Sequence, residues 1–128
     1  MNAAAAGKYR LDALFAAIDR KDTDAFLGFL APDAEFRFGS AASLHGHDAI
    51  RAGVDGFFTS IAGSVHAMDR VLADGNALAC EGTVTYRRHD GSTITLPFTN
   101  VFEYSGDRIC NYKIYIDIQP LYEEHSGA

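Results

Sequence analysis

The sequence is poor in cysteine and in basic residues, and it lacks a long apolar run. Its two cysteines, Cys80 and Cys110, lie in strand-like segments without a histidine or another cysteine at metal-ligand spacing. This pattern favours reduced thiols over a disulfide and predicts no metal site. The 11 basic residues are scattered and the formal charge is −6, which argues against a nucleic-acid partner. No segment approaches the roughly 20 apolar residues that cross a bilayer, so no membrane partner is expected.

The composition indicates one folded domain. The chain has 128 residues, of which 48% are hydrophobic, enough for a single continuous core. The first seven residues carry neither a basic segment nor a long apolar segment, so they predict a disordered tail rather than a signal peptide, and a cytoplasmic protein. The predicted domain spans residues 8–122, and residues 123–128 are predicted to be a C-terminal tail.

The N-terminal half has the periodicity of three helices. A first helix over residues 9–20 is predicted from apolar residues at helical spacing, namely Leu11, Leu14, Phe15 and Ile18. Potential N-caps at residues 21–24 predict a second helix that ends at Pro32 and buries Phe26, Leu27 and Leu30. Residues 34–38 are predicted to form a strand. A third helix beginning at residue 47 or 48 has a stripe formed by Ile50, Val54, Phe57, Phe58 and Ile61.

From residue 64 onward the apolar period is two, which predicts a meander of four antiparallel strands. Asp74-Gly75, Asp90-Gly91 and Gly106-Asp107 are the predicted two-residue turns. With these turns, one face of the sheet would carry His66, Met68, Glu81, Thr83, Phe98, Asn100, Lys113, Tyr115 and Asp117. The other face would carry Val84, Tyr86, Val101, Tyr112, Ile114, Ile116 and Ile118.

The two predicted faces suit different purposes. The mixed face suits a ligand pocket beneath the helices, whereas the face rich in isoleucine suits a homodimer interface. Pro97 cannot donate to a central ladder, so a β-bulge is expected there.

Three polar residues of the mixed face are candidates for catalysis. Asp117 lies in a run of β-branched and aromatic residues, where a buried carboxylate needs a partner or a function. It is either a proton shuttle or the partner of Lys113 or Tyr115. His66 could exchange protons or could be a strand histidine bonded to the backbone. Asn100 could hold an enolate or hydroxyl oxygen, or could be satisfied by a neighbouring group.

Four short motifs appear in a characteristic order over about residues 8–122. They are Asp-Ala-Glu-Phe at 33–36, His-Gly-His-Asp-Ala-Ile at 45–50, Val-Leu-Ala-Asp-Gly-Asn at 71–76 and Ile-Tyr-Ile-Asp-Ile-Gln-Pro-Leu at 114–121. In these the chain resembles the NTF2-like superfamily, and within it the SnoaL-like and ketosteroid isomerase-like branch. The resemblance implies an α+β fold, a cone-shaped barrel in which three N-terminal helices pack on a curved, mainly antiparallel sheet. It also implies a pocket between helices and sheet, and a homodimer through the sheet face.

The resemblance also bears on the candidate residues. Asp117 falls where SnoaL-like polyketide cyclases keep an acid/base aspartate. Asp19 resembles the aspartate of an Asp–His dyad in scytalone dehydratase-like relatives, although it is also an ordinary helix-end residue. The chain departs from the classical ketosteroid isomerases, whose tyrosine and base fall at Leu14 and Phe38. Residues 96–103, on the strand before Asp117, also lack the Arg-x-Asp motif that limonene epoxide hydrolases have there.

Two functions from different classes remain open. The first is a cofactor-free general acid/base enzyme of the isomerase, cyclase or dehydratase type, acting on a small apolar carbonyl or hydroxyl compound. Its predicted catalytic residues are Asp117, His66, Asn100 and Asp19. Its predicted substrate-binding residues are Phe15, Phe57, Phe58, Phe98, Phe102 and Tyr115. The alternative is a non-catalytic ligand-binding or dimerisation module.

Overall fold

The computed structural model describes residues 3–123, which contain four helices and six strands. The helices are α1 (Ala3–Asp19), α2 (Thr23–Gly28), α3 (His47–Ser60) and α4 (Gln119–Tyr122). The strands are β1 (Leu30–Phe38), β2 (Leu44–His45), β3 (Gly63–Asp74), β4 (Ala77–Arg87), β5 (Thr93–Ser105) and β6 (Arg108–Tyr115). Of the two predicted tails, residues 1–2 and 124–128 lie outside the described residues. Residues 3–7 belong to α1.

The strands form one curved sheet in the order β2-β1-β6-β5-β4-β3. All neighbours are antiparallel except β1 and β6, which are parallel. The predicted α+β class is confirmed, with two corrections. A fourth short helix follows the last strand, and the described part of the sheet does not close into a barrel, because β2 and β3 are its two edges. Among residues 3–123, no helix is both long and apolar enough to span a membrane.

The predicted helical stripes form much of the core. Leu11, Leu14 and Phe15 of α1 are buried, as are Ile50 and other stripe residues of α3. They cover one face of the sheet, because a half-apolar sheet must bury that face against another layer. The helices are therefore on the same side as the buried strand residues, which include Phe98, Asn100, Phe102 and Tyr112.

The second helix is shorter than predicted. Asp22 caps it by accepting a hydrogen bond from the backbone N–H of Ala25 at 3.0 Å, and the helix ends at Gly28 rather than at Pro32. Leu30 is buried, but it begins β1. Pro32 is tolerated inside β1 because the β1–β6 ladder is irregular between residues 30 and 35, where no regular donor is required.

The three connections of the meander were predicted at the right places, but two have a different geometry. The turn between β3 and β4 consists of Gly75 and Asn76, one residue later than predicted. The loop between β4 and β5 has five residues, 88–92, instead of two. The turn at residues 106–107 is confirmed, since Ser105 pairs with Arg108.

Two β-bulges then change which residues share a face. Asp69 is the extra residue in β3, so His66 lies opposite Val84. Cys110 is the extra residue in β6, so Asn100 lies opposite Ile114 and Phe102 lies opposite Tyr112. The bulge predicted at Pro97 was wrong, since Pro97 pairs regularly with Thr83. At Pro97, β5 pairs with a neighbouring strand on one side only, because β6 ends at Tyr115, opposite Thr99, and does not extend as far as Pro97.

The predicted faces are therefore corrected. His66, Phe98 and Asn100 remain together beneath the helices, as predicted. The predicted dimer face was wrong in its main members, because Val84, Tyr86, Tyr112, Ile114 and Ile116 lie on this same inner side. The outer side of the sheet carries Glu81, Thr83, Lys113 and Tyr115. Each of them pairs with a residue on the face opposite the buried side chains, because successive side chains in a strand point to opposite faces.

Gly82 gives a test of this register. It lies opposite Met68 at the β3 bulge, and a Cβ atom there would overlap the carbonyl oxygen of Ala67. We expect Gly82→Ala to lower the free energy of unfolding by about 1–3 kcal/mol or more, since the backbone must move. The measurement is urea denaturation of the variant and the unmodified protein.

Gly56→Ala is the matched control. Gly56 lies in α3 and nothing approaches its Cβ position within 4 Å. Its replacement should be neutral or stabilising by up to about 1 kcal/mol, because alanine favours a helix. Equal unfolding midpoints for the two variants would contradict the close contact between β3 and β4.

Candidate active site

The end of α1 and the start of β3 meet through the carboxylate of Asp19. One of its oxygens, Oδ1, accepts a hydrogen bond from Ser64 Oγ at 2.8 Å and contacts His66 Nδ1 at 2.6 Å. The other, Oδ2, accepts the backbone N–H of His66 at 2.9 Å. Two of the three contacts on this carboxylate therefore hold His66, one through its backbone and one through its ring.

Two aromatic rings complete the surroundings of the His66 imidazole. Phe15 of α1 stacks on it with a centroid distance of 4.6 Å and an interplanar angle of 7°. The ring of Phe98 packs edge-to-face at 5.5 Å. The His66 side chain is 10% exposed. A histidine with so many contacts has one orientation, which is what a positioned acid/base group requires.

The electrostatics of the pair favour an ionised Asp19. Burial by itself raises the pKa of Asp19. The hydrogen bonds and charge of His66, together with the bond from Ser64, outweigh burial and lower that pKa below its usual value. The carboxylate therefore accepts from Nδ1–H, and Nε2 is the ring nitrogen left for a ligand.

His66 lines a cavity of about 230 Å³ between the helices and the sheet. The walls are mostly apolar, with aliphatic side chains and six phenylalanines, Phe26, Phe36, Phe38, Phe57, Phe58 and Phe98. The polar side chains that line it are His66, Asn100, Tyr86 and Tyr112. An apolar concavity with a few polar groups is the usual form of a small-molecule site.

Two polar atoms among the cavity-lining residues are unpaired. Asn100 and Tyr112 are 2% and 1% exposed, and neither Asn100 Oδ1 nor the Tyr112 hydroxyl has a hydrogen-bond partner. Buried polar groups are nearly always paired, so unpaired ones at a cavity need an explanation.

Seven of the predicted site residues are brought together. Asp19 and His66 form the pair described above, and His66 and Asn100 line the same cavity. Of the predicted aromatic residues, Phe57, Phe58 and Phe98 line it, and Phe15 contacts His66. Phe102 is fully buried and packs on Tyr112 instead of lining the cavity.

Asp117 and Tyr115 do not reach the cavity lining. β6 ends at Tyr115 and not at residue 119, so Asp117 is exposed beyond the strand. Its Oδ1 accepts the backbone N–H of Gln119 at 3.2 Å at the start of α4. Tyr115 is 48% exposed on the outer face. The premise that Asp117 is buried within an apolar strand was wrong, because a short helix beginning at Gln119 ends the extended segment.

Tyr112 lines the cavity but is not among the site residues that the sequence predicted. It was placed on the predicted dimer face because a two-residue turn without a bulge puts Lys113 opposite Asn100. The bulge at Cys110 reverses this alternation. No local signal marks Cys110 as a bulge.

Other chemistries find no support among the described residues. Burial raises the pKa of the Cys80 thiol to about 12, despite a hydrogen bond from the backbone of Asn100, so Cys80 stays protonated and is a poor nucleophile. Both cysteines are free. Across residues 3–123, no three His, Cys, Asp or Glu side chains are grouped as metal ligands.

Comparison with known proteins agrees with this architecture. The family model of the SnoaL-like domain matches residues 11–112. No curated protein matches the chain in sequence. An NTF2-like protein of unknown function from Burkholderia pseudomallei K96243 superposes with a TM-score of 0.79 at 24% identity, covering 87% of this chain and 90% of that one.

Two further solved structures share the fold. One is a hypothetical protein with a ketosteroid isomerase-like fold from Catenulispora acidiphila, in complex with trimethylamine. It has a TM-score of 0.75 at 15% identity, covering 82% of each chain. The other is a putative SnoaL-like polyketide cyclase from Jannaschia sp. CCS1, with a TM-score of 0.74 at 12% identity, covering 88% of each chain. At these identities the likeness is one of fold.

Asp19→Asn tests the state of the carboxylate. Because the pKa of Asp19 is lower in the folded chain, its ionised form stabilises the fold above about pH 4, and this contribution is lost as the pH falls through the folded-state pKa. We expect urea denaturation at pH 7 to show a less stable variant, and the difference from the unmodified protein to shrink as the pH falls below about 4.

Asp24→Asn is the control for this comparison. Asp24 pairs with Arg51 at 2.6 Å, but its side chain is 84% exposed. Removing such an exposed pair should change stability little, because solvent screens its charges. A stability difference for Asp19→Asn that stays constant from pH 7 to pH 2 would contradict an ionised Asp19.

Proposed function

Since the chain belongs to the SnoaL-like domain family, we propose that it is a small-molecule enzyme using general acid/base catalysis without a cofactor. Its substrate is a small apolar carbonyl or hydroxyl compound, and its reaction is of the isomerase, cyclase or dehydratase type. The observation that carries the proposal is the Asp19–His66 pair, at 2.6 Å, on the wall of an aromatic cavity.

The pair supplies a mechanism. Nε2 of neutral His66 takes a proton from the carbon next to the substrate carbonyl, while Nδ1–H donates to Asp19. The carboxylate stabilises the imidazolium that forms. Return of the proton to another atom completes an isomerisation or ring closure, and its transfer to a departing hydroxyl releases water. The stacked ring of Phe15 keeps the imidazole in place during both transfers.

The other predicted catalytic residues take different parts. Asn100 lines the cavity and is proposed to accept a hydrogen bond from a substrate hydroxyl, because its Oδ1 is buried and unpaired. Asp117 is left out of the proposal, since it is exposed and bonded to the start of α4. Phe57, Phe58 and Phe98 supply the apolar contact surface.

Proton exchange provides a test that does not require the natural substrate. A panel of cyclic and aryl ketones in D₂O is followed by NMR for deuterium incorporation next to the carbonyl. We expect catalysed exchange for members of the panel, and a decrease of about 10²–10⁴-fold in His66→Gln, because the proton acceptor is removed. Asp19→Asn should also decrease the rate, because the histidine loses its orienting anion.

His45→Gln is the matched control. The side chain of His45 is 67% exposed and contacts Glu35 at 3.6 Å, away from the cavity lining. Its replacement should leave the exchange rate unchanged. Exchange that survives in His66→Gln would rule out the proposed base. Ketones that bind without exchanging would favour the alternative, a non-catalytic binding module.

We also infer a homodimer through the sheet, now on its outer face. Val65 and Leu72 of β3 are 65% and 53% exposed there, and Tyr115 of β6 is on the same side. Large exposed apolar side chains on one face are typical of an interaction surface. A cytoplasmic location remains a prediction.

Light scattering tests the dimer. The unmodified protein should have twice the mass of one chain at micromolar concentration, and Val65→Glu should shift it to the monomer because a charge would be buried in the interface. Tyr9→Glu is the control, since Tyr9 is 75% exposed on α1. A monomeric unmodified protein would exclude this interface.

A further inference from the structure

Asn100 and Tyr112 share a corner of the cavity. Asn100 of β5 lies opposite Ile114 of β6, and Tyr112 is two residues before Ile114, so the two side chains are diagonal neighbours on one face. Both residues line the cavity. Their unpaired atoms, Asn100 Oδ1 and the Tyr112 hydroxyl, therefore belong to one region of the wall.

The Tyr112 ring is held in place by its neighbours. Phe36 packs edge-to-face on it at 5.1 Å, and Phe102 does so at 4.5 Å. Phe26 contacts it at 5.9 Å. With three rings around it and 1% exposure, the tyrosine cannot turn its hydroxyl to solvent. Burial raises the pKa of Tyr112 well above its usual value, so the hydroxyl remains a neutral donor.

The two unpaired atoms have complementary chemistry. Asn100 Oδ1 accepts a hydrogen bond, and the Tyr112 hydroxyl donates one. A hydroxyl group satisfies both, because it donates to the first and accepts from the second. A carbonyl oxygen would leave Asn100 Oδ1 unpaired, and an apolar group would leave both atoms unpaired.

The cavity also selects on charge. None of the described residues that line it is Lys, Arg, Asp or Glu. A carboxylate or phosphate group at the Asn100–Tyr112 corner would have no cation to compensate the loss of water, and binding would be costly. The lining therefore favours a neutral compound.

The strand order separates this corner from His66. β3, which carries His66, is two strands from β5 and three from β6. At about 4.8 Å per strand this gives backbone separations of roughly 10 and 14 Å. The side chains of His66, Asn100 and Tyr112 extend toward the cavity centre and shorten this separation. The space left between His66 and the Asn100–Tyr112 corner fits about one ring.

We propose that Asn100 and Tyr112 form a hydroxyl-binding subsite, so that the substrate is a neutral ring compound with a hydroxyl group at the end remote from His66. This rests on the proposed function, which makes the cavity the substrate site. Tyr112 is then a specificity-determining residue. The subsite explains why two buried polar atoms are kept unpaired at a cavity whose walls are otherwise largely apolar.

Matched ligands test the subsite by calorimetry or NMR titration. The probes are 4-hydroxyacetophenone, acetophenone, which lacks the hydroxyl, and 4-acetylbenzoate, which carries a charge there. We expect the hydroxy compound to bind about 10- to 100-fold more tightly than acetophenone, because a site built for a hydroxyl discriminates against its absence. The benzoate should bind more weakly than acetophenone.

Tyr112→Phe should reduce the preference for the hydroxyl to near one, since only the donor is removed and the ring packing is kept. Asn100→Ala is a second variant with the same expected direction. Tyr104→Phe is the control, because Tyr104 does not line this cavity, and it should keep the preference. Near-UV circular dichroism confirms that each variant is folded.

The outcomes separate this inference from the proposed function. The subsite is overturned if 4-hydroxyacetophenone and acetophenone bind equally well, or if the preference for the hydroxyl persists in Tyr112→Phe. Either result leaves the proposed function intact where deuterium exchange still depends on His66. A hydroxyl preference that Tyr112→Phe removes, without any catalysed exchange, supports the subsite and rejects the proposed chemistry. If none of the probes binds at millimolar concentration, both are rejected.

Discussion

The carboxylate of Asp19 is the contact on which the site depends. It joins the end of α1 to the start of β3 through Ser64 and through both the backbone and the ring of His66. The Asp19 side chain is half-buried, and these partners offset the cost of removing its carboxylate from water. The contact with Nδ1 orients the His66 ring and leaves Nε2 as its other ring nitrogen. One carboxylate thus joins a helix to a strand and orients a histidine on the cavity wall.

The cavity follows from how the helices cover the sheet. The helices pack on one face only, and aromatic side chains from α2, α3 and the strands meet without filling the space between them. Protein interiors are normally close-packed and their polar groups paired, so a cavity of about 230 Å³ with unpaired polar atoms in its lining lowers the stability of the fold. His66 at one end and the Asn100–Tyr112 corner at the other would give a ligand a defined orientation.

Two bulges decide which side chains reach that cavity. If Asp69 were paired regularly instead of bulged, the turn at residues 75–76 would place His66 opposite Thr85, on the outer face. If Cys110 were paired regularly, Lys113 would lie opposite Asn100 and would put a cation into an apolar wall. Each bulge reverses the alternation of a strand beyond it. Gly82 permits the first bulge, because it has no Cβ to meet the β3 backbone.

The sequence by itself determined the order of the first three helices, β1 and the four strands of the meander, together with the helical stripes and the positions of the three connections. Periodicity and turn residues are local properties, so they can be recognised without coordinates. The tertiary structure decided the rest. It ended β6 before Asp117, moved Tyr112 to the cavity and brought Asp19 to His66 across 47 positions of the chain. Bulges and contacts between distant segments depend on how whole strands pair, and no short stretch of sequence encodes that pairing.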